Sequence, residues 1–95
     1  MREIKDEKLA KYFQVTKSAL EKAESSKNRT KLEKERADFL DMIKRYISDA
    51  EHFAEKGYIV NAFAALNYAH GWLDAGARIG MFDVHDSSLF TVDDE

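Results

Sequence analysis

No proline interrupts the 95 residues of this chain, and only four glycines do. Proline removes a backbone donor and clashes with the preceding turn, so its absence leaves long helices unobstructed. Apolar residues recur at three- and four-residue steps over three long stretches, the spacing of a helix face rather than the alternation of a strand. The pattern predicts an all-α fold: a three-helix up-down-up bundle over residues 1–80, followed by an apolar C-terminal tail over residues 81–95. A chain of this length makes one domain with one core and has no room for a large enclosed substrate cavity.

The first helix is expected from about Lys5 to Glu24, on the stripe Leu9, Tyr12, Phe13, Thr16, Leu20 and Ala23. The polar run from Glu24 to Thr30 reads as a loop. Thr30 and Glu33 resemble a capping box, so the second helix is expected to begin near Thr30 and run to about Lys56. Phe39, Ile43, Tyr46, Ala50 and Phe53 form the centre of its stripe. Gly57 then supplies a left-handed stop, and the short turn makes the next helix an antiparallel neighbour. That third helix is expected over residues 58–79, stopped by Gly80, with its core stripe on Ile59, Ala62, Phe63, Leu66, Ala69, Leu73 and Ala77.

A second apolar strip lies on another side of the third helix: Ala65, Tyr68, Trp72 and Ile79. A helix apolar on two sides is usually covered on two sides. The cover is expected to be either the tail or a second subunit. In the tail, Phe82 and Val84 precede a turn-forming HDSS run and then Leu89, Phe90 and Val92. It could be a short hairpin or an extended segment folded back on the third helix.

Composition narrows the functional classes. There is no cysteine, so disulfides and thiolate metal sites are excluded. No run of about 18 apolar residues is present. The charged segment Met1–Lys11 is not a secretory signal, which points to a cytoplasmic protein without a membrane partner. Residues 1–45 carry 13 Lys or Arg against 9 Asp or Glu, whereas residues 46–95 carry 2 against 9. The basic half, with Lys27, Arg29, Lys31 and Lys34 clustered, makes nucleic-acid contact conceivable. No aromatic residue interleaves with the cluster for base stacking, so the simpler reading is a solvated surface.

The run from Asp49 to Gly80 is the most distinctive part of the chain. YISDA (Tyr46–Ala50), NAFAALNYAHGWLDAG (Asn61–Gly76) and KYF (Lys11–Phe13) together resemble a small archaeal family known as domain of unknown function 357. The resemblance implies a compact helical bundle and brings no activity, cofactor or catalytic residue. A weaker likeness to small HEPN-type helical ribonucleases rests on Arg45 and His52. The residue after Arg45 is Tyr46, where that motif carries a polar residue.

Four polar residues stand out as functional or buried candidates: Asp49, His70, Asp74 and Arg78. His70 falls on the core side of the third helix, where a hydrogen bond to Tyr46 or Asp49 of the second helix is expected. Asp74 and Arg78, four residues apart, suit a local ion pair. Asp38, Asp49 and His70 lack the Glu-x-x-His pairs of carboxylate-bundle metal centres, so neither a metal nor a cofactor is expected. Gly71 and Gly76 interrupt a helix, at about 1 kcal/mol each relative to Ala. Close approach of another element is the ordinary reason. The sequence therefore favours a non-enzymatic interaction or self-association module, its partner a second copy or another protein. The candidate interface is Tyr68, Trp72, Phe82, Leu89 and Phe90. A small ribonuclease or hydrolase, using Arg45, His52 and His70, and weak RNA binding are the alternatives.

Overall fold

The structure, a computed structural model, describes residues 6–90; Lys5 and Val92, named above, lie outside them. Three helices form: α1 (Asp6–Ser25), α2 (Glu33–Glu55) and α3 (Ile59–Ile79). No strand forms among the described residues, so the hairpin considered for the tail is not seen there.

Two glycines end the helices as expected. Gly57 sits at φ 82° and Gly80 at φ 91°, where a side chain would be strained. Each end closes with the same pair of bonds. After α2, Gly57 N–H donates to Ala54 O and Tyr58 N–H to Phe53 O; after α3, Gly80 N–H donates to Ala77 O and Met81 N–H to Gly76 O. These bonds satisfy carbonyls that the helix leaves open. The start of α2 differs from expectation. It begins at Glu33, and its N-cap, Leu32, makes no side-chain capping bond. Thr30 instead closes the preceding loop: its hydroxyl donates to Asn28 Oδ1 and accepts from Leu32 N–H. A threonine followed by a glutamate fits a loop turn as well as a cap, and here the turn wins.

Helix directions follow from the contacts. Phe39 meets Trp72 edge-on at 4.6 Å and Tyr46 stacks on Tyr68 at 5.3 Å, so α2 and α3 are antiparallel. Lys17 pairs with Glu51 and Glu24 with Lys44, so α1 and α2 are antiparallel as well. The core between them is rich in alanine. Ala19, Ala23, Ala50, Ala62 and Ala69 are wholly buried, which lets the helices approach closely around Ile43, Leu66 and Leu73.

The tail completes this core. Met81 and Phe82 are wholly buried, and Phe90 is 2% exposed. Phe82 lies against Gly76, where an added Cβ would stand 2.3 Å from its ring. The expected close approach at Gly76 is therefore made by Phe82. Backbone bonds from Arg29 N–H to Gly80 O and from Asp83 N–H to Lys27 O fasten the tail to the first loop. Residues 81–90 of the tail thus pack at the Gly76 side of α3 and do not cover the Tyr68–Trp72 strip.

Arg36 holds the same corner together. One terminal nitrogen donates to Met81 O at 2.6 Å, the other to the carbonyls of Ala23, Glu24 and Ser26. Its guanidinium also lies 5.3 Å over the Phe82 ring. The positive charge sits where the α1 dipole is negative, and its planar fork serves four acceptors at once.

Candidate functional site

Two features of α3 merit attention: the polar seam it forms with α1, and its outer side. The seam gathers Tyr12 from α1 with Asn67, His70 and Asp74 from α3. Tyr12 Oη donates to Asn67 Oδ1 at 2.6 Å, and its ring lies 4.8 Å from Phe63 and 6.0 Å from His70. Burial raises the Tyr12 phenol above its ordinary value, and the nearby Asp74 charge adds to this. His70 therefore faces α1, not the expected Tyr46 or Asp49 of α2. Its Nδ1 is buried and has no hydrogen-bond partner among the described residues. The reason is rotational. His70 lies on the edge of α3 that carries Phe63, and that edge belongs to α1.

Asp74 is half-buried and Arg78 exposed, and neither is without a partner. Asp49 is exposed on α2 beside Tyr46 and Phe53. The residues of the ribonuclease reading do not converge. Arg45 is exposed and paired with Asp41, His52 is exposed, and His70 packs on Tyr12. No hydrogen bond, ion pair or ring contact joins these three among the described residues. No cluster of three or more histidine or acidic side chains suited to a metal occurs there either.

The outer side of α3 is unlike any other surface of the bundle. Eight of the eleven exposed residues of α1 are charged, and ten of the thirteen on α2. On α3 nine residues are exposed: Val60, Asn61, Ala64, Asn67, Tyr68, Gly71, Ala75, Arg78 and Ile79. Only Arg78, in the last turn, is charged. At about 100° per residue the nine fall within one arc of roughly 120°. Val60 is 70% exposed, Tyr68 63% and Ile79 53%.

A shallow groove of about 360 Å³ runs along this side, lined by Phe39, Asn67, Tyr68, Gly71, Trp72 and Ala75. Tyr68 rises beside it as a ridge, steadied from behind by the stacked Tyr46 ring. Beyond its chain neighbours and the backbone of its own helix, no described residue comes within 4 Å of a Cβ placed on Gly71. The two helical glycines thus differ: Gly76 makes room for Phe82, and Gly71 makes room for no other described element.

Of the residues expected at an interface, Tyr68 is exposed and Trp72 half-buried with one edge in the groove. Phe82 and Phe90 belong to the chain's own core, and Leu89 is half-buried against it, so none of the three lies on this surface. Sequence reasoning passed over Val60, Ala64, Gly71 and Ala75 as members of one surface. The missing signal was a lack of charge, which an apolar stripe count does not register.

The chain belongs to the family described as protein of unknown function (DUF357), whose pattern matches residues 11–82, from α1 through α3 to Phe82. No curated protein and no solved structure matches it. No helix among the described residues is long and apolar enough to cross a membrane.

Proposed function

We propose that this protein is a non-enzymatic interaction module of the cytoplasm whose docking surface is the outer side of α3. One observation carries the reading: a helix with a single charged residue among nine exposed ones, in a chain 35% charged. Charge on a solvated helix face is the default, because desolvating a charge is expensive and leaving it in water is not. A face without charge loses little when covered. Interface centres are depleted in charge and enriched in aromatic residues, as Tyr68 and Trp72 are here.

The rest of the molecule supports a scaffold role. Arg36, Phe82 and the two glycine-ended helices hold the bundle together behind α3, and the residues of the ribonuclease reading, Arg45, His52 and His70, do not converge. The spacing Ala64, Tyr68, Gly71, Ala75 alternates steps of four and three, the seam by which one helix packs on another.

The test is retention on immobilised protein from a lysate of the cells that natively express it. Wild type is expected to hold a protein in stoichiometric amount. Ala75→Glu, which places a charge in the middle of the face without touching the core, is expected to lose it. Equal retention by both would contradict the reading.

A further inference from the structure

We infer that the occupant of the α3 face is a second copy of this chain, laid antiparallel about a twofold axis passing between Gly71 and Trp72. The inference rests on the docking reading above and adds the identity of the partner.

Charge matching gives the first argument. A surface that covers this face must itself be nearly free of charge, or it strands ions away from water. On α1 and α2, 18 of the 24 exposed positions are charged. Among the three described helices, the one exposed face that meets the requirement is that of α3 itself. Pairing a face with itself requires twofold symmetry.

Shape supplies the second. About an axis between residues 71 and 72, position 68 stands opposite position 75 of the other copy, and position 64 opposite position 79. Tyr68, 63% exposed, then meets Ala75, and Ile79, 53% exposed, meets Ala64. Each pair joins a large side chain to a small one. The Tyr68 ring of each copy enters the groove that Gly71, Trp72 and Ala75 line in the other. Ridge and groove lie side by side on one face, as a self-complementary contact demands. The arrangement also gives Gly71 a role: beside the axis, where the two backbones come closest, the open space at its Cα is filled by the partner helix.

The chain contains no cysteine, so single cysteines read the geometry directly. Near the axis the two copies of position 71 fall within the Cα separation a disulfide spans, about 4.4–6.8 Å. The two copies of position 64 are separated by about 22 Å along the helix axis. Under mild oxidation Gly71→Cys is expected to give a covalent dimer and Ala64→Cys none. Light scattering of the wild type is expected to give twice the 10.9 kDa chain mass. Cross-linking of Ala64→Cys to itself would overturn the antiparallel pairing. A wild-type monomer at several hundred micromolar, with no Gly71→Cys dimer, would overturn the second copy as occupant. If that monomer still retained a foreign protein that Ala75→Glu lost, the docking surface would stand and only its partner would change.

Discussion

Gly71 and Gly76 are five residues apart on one helix, and a substitution at each should move stability in opposite directions. At Gly76 an added methyl meets the Phe82 ring at 2.3 and 2.5 Å, and Phe82 is wholly buried and cannot withdraw. Gly76→Ala is expected to destabilise by about 1–3 kcal/mol. At Gly71 the methyl meets nothing, and Ala is the better helix former by about 1 kcal/mol. Urea unfolding of both variants, made in an Ala75→Glu background that the proposed pairing predicts to be monomeric, should show the two signs. A second residue-scale expectation concerns Asp86. Its hydrogen bond to Lys22, with further bonds from Ser88, holds its carboxyl down to about 2. The folded value lies below the unfolded one. Its contribution to stability is therefore present above the ordinary 3.8 and is lost as pH falls towards 2. Carbon NMR of the Asp86 carboxyl should place its midpoint near 2 and move it towards 3.8 in Lys22→Met. An unmoved midpoint would show that the lysine is not the cause.

At the scale of elements, the corner where α1, α2 and the tail meet depends on one side chain. Arg36→Met removes the guanidinium donor from the carbonyls of Glu24, Ser26 and Met81 and leaves Ala23 O only its bonds from Ser26, and a loss of about 3 kcal/mol is expected. Arg36→Lys should recover little, since a point charge cannot reach four separated acceptors. A shift in urea midpoint with an unchanged slope is the signature of this loss; full recovery by lysine would contradict it. The α1–α3 seam has its own signature at alkaline pH. The Tyr12 phenol is raised in the folded state, first by burial and then by Asp74. Above the ordinary 10.0 the unfolded chain releases that proton while the folded one retains it, so this contribution is full below pH 10 and is lost as pH rises towards the folded value. Tyr12→Phe should lose less stability than wild type between pH 9 and 11, measured by urea unfolding.

The helices themselves were legible in the sequence because periodicity and glycine stops act locally. Gly57 and Gly80 end α2 and α3 where their backbone freedom implies. What was not legible depends on rotation between elements. The sequence points His70 at Tyr46 or Asp49 of α2, whereas it faces α1, because a few tens of degrees about the helix axis decide which neighbour it meets. The α2 core centres on Ile43, Ile47 and Ala50, with Phe39, Tyr46 and Phe53 at its edge, for the same reason. Arg36 left a trace that could have been followed. It stands seven residues before Ile43 on the same stripe, an isolated cation on a core face. The outer surface of α3 left a trace too, in the charges missing from it.

On the scale of the whole molecule, the distribution of charge distinguishes one side from all others. α1 and α2 present ordinary solvated surfaces, and residues 81–90 of the tail are spent on the core at Gly76. That leaves α3 with a bare outer side, a tyrosine ridge and a groove to match it. The central claim is that this side is covered in solution by a second copy. Light scattering across a hundredfold range of concentration, wild type beside Ala75→Glu, tests it most directly. The account predicts a wild-type mass approaching twice 10.9 kDa as concentration rises, and 10.9 kDa throughout for the variant. A wild type that stays at 10.9 kDa at every concentration, or a variant that associates as the wild type does, would contradict it.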